Sequence, residues 1–445
     1  MIQRLLVANR AEIASRVFRT CRKLGIQTVA IHSDADAGLP YVREADVSVR
    51  LAGDAPADTY LDLDAVLHAA KRTGADAIHP GYGFLSENAD FARAVEAAGL
   101  TWIGPWPTSI EAKRIMRVAG VPVLDAPDSP SDADLPLIVK ASAGGGGRGM
   151  RIVRDLASLD TEIALARDEA VSAFGDGTVF VEPYVERGRH VEVQVVGDRH
   201  GDVLVLGERD CSIQRRHQKV VEEAPAPDLA PEVARSMHDA ARAAAEAIGY
   251  IGAGTVEFLF DPETERFFFL EMNTRLQVEH PVTEEVYGVD LVELQLAVAE
   301  GSPVVAGGLE ARSARTSTTG RPVGHAIEVR LYAEDPARDF RPQSGRLTAF
   351  ELSDGEGIRV DAGFESGSVV STHYDAMLAK VIAHGPTRVA AARRLAAALE
   401  GARIHGVTTN RDLLVGILRD PDFLAGGVGT DFLDRTSVVA ATAPA

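Results

Sequence analysis

Glu271-Met-Asn-Thr-Arg-Leu-Gln-Val-Glu279 is the stretch around which the rest of the chain is organised. With the two-residue period of an extended strand, Glu271, Asn273, Arg275, Gln277 and Glu279 share one face, and Met272, Thr274, Leu276 and Val278 share the other. A solvated strand rarely carries carboxylate, amide, guanidinium, amide and carboxylate without one Lys, Ser or Thr among them. Upstream, Thr255-Val-Glu-Phe-Leu-Phe260 and Arg266-Phe-Phe-Phe-Leu-Glu271 flank Asp261-Pro-Glu-Thr-Glu265, a turn signal between apolar runs. A hairpin folded symmetrically about Thr264 sets Glu257 opposite Glu271. Like charges directly opposed on adjacent strands repel. A hard divalent cation between two carboxylates and an amide oxygen reverses that sign. The pattern points to a magnesium site; the alternative is an exposed hairpin with ordinary acids.

The chain has 445 residues, too many for one compact core, which suggests two or three domains. Its 46 basic against 65 acidic residues give a net charge of −19, which argues against nucleic-acid or anionic-membrane binding. A site for an anionic substrate must then be a local basic cluster. Cys21 and Cys211 are too few for a disulfide framework or a cysteine zinc site and fit a reducing cytosol. The start lacks the apolar stretch of a signal peptide, and no run is long enough to span a bilayer. The expectation is a soluble, cytoplasmic protein.

Residues 1–103 read as an open parallel α/β domain: strand Arg4–Ala8, helix Glu12–Leu24, strand Thr28–His32. Ala8-Asn-Arg-Ala-Glu12 stands where a dinucleotide fingerprint would need glycines, which argues against a dinucleotide site. Ala77–Asn88 is a strand running into a glycine-rich loop, a favoured ligand position or a plain tight turn. Residues 104–123 form a connector with a short helix near Ile110–Ala119. Residues 124–184 form a small unit in which a strand ending at Lys140 feeds Gly144–Gly147. Such glycines let backbone N–H groups converge on phosphate oxygens, and they also suit a mobile lid or a flexible hairpin. This is no Walker loop, since no Gly-Lys-Ser/Thr and no following helix are present.

The larger domain, 185–445, opens with the alternating strand His190–Val196. Val203 begins a strand followed by a dense polar cluster, in which Arg215, Arg216, His217 and Lys219 form the positive patch an anion would need or a solvated charge run. Cys211 lacks the partners of a thiol nucleophile. Helices are expected at Ala230–Ile248, Val289–Glu300, Val389–Leu399 and Arg411–Leu418. A loose insertion is expected at 301–322 and a strand at Gly324–Tyr332, with a tail at 440–445 that is disordered or begins a linker.

Ala8-Asn-Arg10, His79-Pro-Gly-Tyr-Gly-Phe-Leu-Ser-Glu-Asn88, Lys140-Ala-Ser-Ala-Gly-Gly-Gly-Gly-Arg-Gly-Met150, Glu208-Arg-Asp-Cys-Ser-Ile-Gln-Arg-Arg-His-Gln-Lys219 and Glu271–Pro281 together resemble biotin carboxylase, an ATP-grasp ligase. The resemblance covers residues 1–435, and five long motifs in order make it specific. It implies an α/β (α+β) fold: an N-terminal open parallel domain, a small glycine-loop lid and a mixed C-terminal domain. It also implies ATP, magnesium or manganese, and biotin as a carrier-bound substrate. Carried over by residue, Glu257 and Glu271 bind the metal, with Asn273 on a second ion. Lys140, Gly146, Gly147, His190, Gln214 and His217 contact ATP, and Glu182, Pro183, Tyr184 and Val185 line the adenine pocket. Arg275, Gln277, Lys219 and the Val278 N–H hold bicarbonate, Glu279 is the general base, and Arg330 stabilises the biotin enolate.

Three departures stand out. The family usually has Met-Gly-Asp-Lys after the connector, with a lysine that reaches ATP. Here a shorter Ser109-Ile-Glu-Ala-Lys113 makes Lys113 the substitute candidate. A segment before Leu135, usually a helix, is missing, so lid closure and ATP affinity are the properties at stake. Pro183 replaces a frequent lysine and removes one backbone donor. No Ala-Met-Lys-Met biotin-attachment motif occurs in the sequence, so the expected partners are a biotin carboxyl carrier protein or domain and a carboxyltransferase subunit of an acyl-CoA carboxylase. Family habit implies a homodimer or a place in a larger complex. The competing readings are another ATP-grasp carboxylate ligase and a nucleotide-binding assembly subunit with impaired turnover.

Overall fold

The computed structural model describes residues 1–105, 112–124, 130–141, 150–216, 218–304 and 321–436. Gly144–Gly147, His217, most of the 301–322 insertion, the 440–445 tail and the Lys113 side chain lie outside the described residues.

The N-terminal sheet is parallel throughout, in the order Val47–Arg50, Gln27–His32, Arg4–Val7, Ala77–His79, Thr101–Trp102. Its first helix, Ala11–Leu24, repeats apolar side chains every three to four residues. That stripe buries Ile13, Ala14, Val17, Phe18 and Cys21. The helix stops at Gly25, whose φ of 71° suits the left-handed position that closes a helix.

A second sheet of eight strands is antiparallel. Its order is Arg266–Asn273, Gly252–Asp261, Arg189–Gly197, Val203–Arg215, Gln218–Ala224, His325–Tyr332, Met377–Gly385, Ile358–Ala362. One apolar core joins Phe18 of the first helix to Leu276, Leu331 and Val381. A separate three-stranded sheet, Arg151–Val153, Leu137–Ala141 and Val179–Pro183, packs against the helix Leu159–Phe174. Among the described residues, no helix is long and apolar enough to cross a membrane.

One expectation needs correction, and two elements differ in extent. The polar stretch is not one strand, because pairing ends at Asn273 and residues 274–279 turn into an unanticipated helix, His280–Tyr287. Pro281, next to the helix start, explains the change: a residue without an N–H fits the first turn of a helix and cannot continue a ladder. The polar cluster expected after the strand from Val203 lies largely within it. The strand runs on to Arg215, and Arg216, at φ 49°, makes the turn into Gln218–Ala224. The helix expected from Val289 is Leu291–Ala299.

Candidate active site

Register brings the acids together. Across four neighbouring strands Arg209 pairs with Glu192, Glu192 with Glu257, and Glu257 with Glu271. The next rank sets Gln194 beside Thr255 and Thr255 beside Asn273. Three carboxylates in one row across a sheet would repel strongly, so the fold surrounds them with cations.

Lys219 is the centre. Its Nζ donates to Glu192 Oε2 at 2.5 Å, Glu257 Oε1 at 2.9 Å and Glu279 Oε1 at 2.6 Å, which uses all three ammonium protons. Burial disfavours that charge, yet Glu192, Glu257 and Glu279 hold the Lys219 pKa well above its ordinary value. Arg209, fully buried, donates to Glu192 Oε1 at 2.6 Å and braces Gln194, Thr283 and Thr255. Arg330 donates to Glu279 Oε2 at 2.9 Å and to Glu222 Oε1 at 2.6 Å. Burial would raise Glu279 and the charge of Glu192 adds to that, but Lys219, Arg330 and Arg209 hold it below the usual carboxylate range.

Although the polar stretch leaves the sheet, its side chains still converge. Arg275 donates to Gln277 Oε1 at 2.9 Å, to Asn273 Oδ1 at 3.2 Å and to Glu87 Oε2 at 3.1 Å. Gln277 and Asn273 in turn donate to Glu257 Oε1, at 3.3 and 2.7 Å. A hydrogen-bonded path therefore links Arg275 through Gln277, Glu257 and Lys219 to Glu279. Arg275, Val278 and Arg330 border a cavity of about 500 Å³ that also meets Tyr82, Gln218 and Tyr332.

Among the described residues three groupings bear on a metal; in one, Glu192, Cys211 and Glu279, Lys219 already binds both acids. His190, Glu192 and Glu257 have ligand atoms within 4.8 Å of one another. Both Glu192 oxygens there are already bound by Arg209 and Lys219, so the protein supplies the cation itself. Glu257 and Glu271 are opposed in register; Glu257 already meets Lys219 and His190, whereas Glu271 has no ion-pair partner among the described residues and is the acid left for a divalent ion. Desolvation and then the charge of Glu257 raise Glu271 above the ordinary carboxylate range, the response of an acid lacking a counter-cation.

His190 Nε2 lies 3.0 Å from Glu257 Oε2. Burial disfavours the imidazolium, but Glu257 outweighs it and the pKa rises to about 9. This stabilisation is complete below the ordinary pKa of 6.5 and is lost as pH rises through about 9. The expected result is that His190→Asn lowers the urea midpoint relative to wild type more at pH 6.5 than above pH 9. Equal differences at both would remove the charged pair.

The remaining candidates fall elsewhere. Lys140 Nζ and Glu182 form an ion pair at 2.8 Å on the three-stranded sheet, and the Tyr184 N–H is donated to Pro136 O at 2.8 Å. Gln214 Nε2 meets His190 Nδ1 at 3.1 Å and Cys211 O at 2.9 Å. The described members of the expected basic patch are dispersed: Arg215 pairs with Glu334 and the exposed Arg216 with Asp339, while Lys219 turns toward Glu192, Glu257 and Glu279. Cys211 is buried, and burial together with Glu192 pushes its thiol well above the ordinary value, so it stays protonated. Sequence reasoning missed Glu192, Arg209, Glu222 and the contact of Glu87. The signal for Glu192 was present: His190, Glu192 and Gln194 alternate along one strand face, and Glu192 and Gln194 are as fully buried as Val191, Val193 and Val195 on the other.

Comparison with known proteins gives three family matches. The Biotin carboxylase, N-terminal domain family matches residues 1–110. The Carbamoyl-phosphate synthase L chain, ATP binding domain family matches 117–306. The Biotin carboxylase C-terminal domain family matches 328–435. The chain is 47% identical to biotin carboxylase of Allochromatium vinosum, over 98% of each. It is 45% identical to mitochondrial pyruvate carboxylase of Mus musculus, with 98% of this chain spanning 38% of that protein. The solved biotin carboxylase domain dimer of Hydrogenobacter thermophilus 2-oxoglutarate carboxylase, in complex with MgADP, ADP and bicarbonate, matches with a TM-score of 0.89 and 42% identity over 99% of each chain.

Proposed function

The chain belongs to the biotin carboxylase family, and from that premise we propose how its residues carboxylate biotin with bicarbonate and ATP. The observation that carries the reading is the buried Lys219 ammonium gathering Glu192, Glu257 and Glu279, with Arg275 and Gln277 tied into the same network.

In this reading Arg275, Lys219, Gln277 and the Val278 N–H hold bicarbonate, with Lys219 exchanging one of its carboxylate contacts for it, and Glu279 takes its proton. A carboxylate kept below the usual range is a weak base. Bicarbonate between Arg275 and Lys219 is itself a stronger acid, because nearby positive charge favours the dianion. The oxyanion attacks the γ-phosphorus of ATP and ADP departs. The resulting carboxyphosphate breaks its carbon–oxygen bond to give carbon dioxide and phosphate, and that phosphate accepts the ureido proton of biotin. Arg330, at the border of the cavity, stabilises the enolate that captures carbon dioxide. Lys140, Glu182, Pro183, Tyr184, Val185, His190 and Gln214 are assigned to ATP, together with the undescribed Gly146, Gly147, His217 and Lys113. Glu257, Glu271 and Asn273 would hold magnesium or manganese, which supplies charge neutralisation at the phosphates. For such chemistry the protein's contribution is positioning and electrostatic stabilisation.

The proposed partners are a biotin carboxyl carrier protein or domain and a carboxyltransferase of an acyl-CoA carboxylase, with a homodimer as the assembly. The proposed domain limits are 1–103, 104–123, 124–184 and 185–445. Omission tests the activity: phosphate release from ATP should fall to background without biotin and again without bicarbonate. Release unaffected by either omission would contradict the reading. Arg275→Ala should raise the bicarbonate KM by ~10–100-fold, the loss of a charge-assisted contact, and leave the ATP KM nearly unchanged. An unchanged bicarbonate KM would remove Arg275 from that subsite.

A further inference from the structure

The turn between the strand Arg266–Asn273 and the helix His280–Tyr287 carries Gln277, Val278 and Glu279. Two of its carbonyls are anchored by side chains that the proposed chemistry does not use. Gln277 O meets His280 Nδ1 at 2.8 Å and the His280 N–H at 3.3 Å. Val278 O accepts from Lys380 Nζ at 2.9 Å. Both side chains are fully buried.

A carbonyl oxygen can only accept, so Nδ1 of His280 carries the ring proton. Burial, followed by the charges of Lys380, Arg16 and Arg359, keeps the ring neutral. Lys380 reaches the turn from the strand Met377–Gly385, where it stands opposite Arg330 in register. Its ammonium also lies 3.3 Å from Glu12 Oε2 on the first helix. The turn and the first helix thus meet at one nitrogen, carried by the strand that pairs with the one bearing Arg330.

Peptide planarity turns these anchors into aim. The Gln277–Val278 and Val278–Glu279 bonds are trans, so the C=O and N–H of each unit point in opposite directions. Holding the Gln277 oxygen on His280 fixes the opposite direction for the Val278 N–H. That N–H has no acceptor among the described residues, and Val278 borders the cavity shared with Arg275 and Arg330. Holding the Val278 oxygen on Lys380 fixes the plane from which Glu279 departs. The Glu279 side chain does not cap the helix it precedes and is bound by Lys219 and Arg330 instead.

We infer that His280 and Lys380 are positioning residues that lock the two peptide planes of this turn, aiming the Val278 N–H at bicarbonate and seating Glu279 between Lys219 and Arg330. The inference rests on the assignment of Val278 and Glu279 to bicarbonate made above. A merely structural role would lower the melting temperature and leave the KM values alone.

The test is steady-state ATP cleavage with free biotin, varying bicarbonate, on His280→Asn, His280→Gln, His280→Leu and Lys380→Met. Asparagine places an amide N–H near Nδ1, whereas glutamine places it near Nε2. His280→Asn should keep the bicarbonate KM close to wild type. His280→Gln and His280→Leu should raise it roughly tenfold, the loss of one oriented hydrogen bond, with the ATP KM unmoved. Lys380→Met should lower kcat roughly tenfold, again with the ATP KM unmoved. Should His280→Leu fail to fold, the comparison between the two amides decides, and equal bicarbonate KM values for them overturn the inference. Arg275→Ala serves as the control: if it raises the bicarbonate KM while His280→Gln does not, this inference alone fails. If Arg275→Ala leaves that KM unchanged, the bicarbonate assignment beneath it fails.

Discussion

Glu279→Gln is expected to abolish biotin carboxylation while the chain keeps its fold. The glutamine has the same shape but cannot take a proton from bicarbonate, and loss of a general base costs ~10²–10⁴-fold in rate. One further effect deepens the loss. Glu279 accepts from Lys219 on one oxygen and from Arg330 on the other, so an amide must turn its NH₂ toward one of two cationic donors. Lys219 still has Glu192 and Glu257, and Arg330 still has Glu222, so neither cation is left alone. The stability cost should therefore be that of a single charged hydrogen bond, ~1.5–3 kcal/mol, well short of unfolding. Circular dichroism and a urea titration check the fold, and labelled bicarbonate incorporated into biotin checks the chemistry. Carboxylation at the wild-type rate would remove Glu279 from the mechanism.

Lys219→Met should have the larger effect on stability. It removes the ammonium shared by Glu192, Glu257 and Glu279, three buried carboxylates, and breaking a buried pair costs ~3–5 kcal/mol. Some of the orphaned acids then take up protons, which raises their folded pKa above the unfolded value. An acid raised in this way contributes most below its unfolded pKa and loses that contribution as pH rises, so acid should rescue the variant in part. The gap in urea midpoint between wild type and Lys219→Met should be wider at about pH 8 than at about pH 5. Equal gaps would mean that Lys219 does not serve as counter-ion to these carboxylates. Activity should be lost at both pH values, because the same ammonium is assigned to bicarbonate.

Much of this site is legible in the sequence, in one case through two deviations that cancel. Symmetry about Thr264 predicts Glu257 opposite Glu271, and they do pair. Nearer the turn, however, Phe258 pairs with Phe269 and Asp261 with Arg266, a register one residue off that symmetry. An irregularity between Glu257 and Phe258 restores it at the acids. The parallel N-terminal sheet is legible because alternating strands and amphipathic helices leave little choice. The continuation of the polar strand to Glu279 fails because alternation alone cannot tell a strand from a turn whose side chains converge, and Pro281 is the residue that could have stopped it. Arg209 escapes notice since its meaning lies in the strands beside it, and the polar alternation around Glu192 gains its meaning only once Glu257 and Lys219 are set against it. Lys380, distant in sequence from the turn it holds, leaves no local trace at all.

The most direct measurement of the central claim follows oxygen. With bicarbonate labelled in all its oxygens and turnover observed before exchange with water, the account predicts phosphate carrying one labelled oxygen for each ATP cleaved. That atom is the one with which bicarbonate attacks phosphorus, and it stays behind when carbon dioxide leaves. Unlabelled phosphate, released at a rate that still depends on biotin, would contradict the formation of carboxyphosphate at this site.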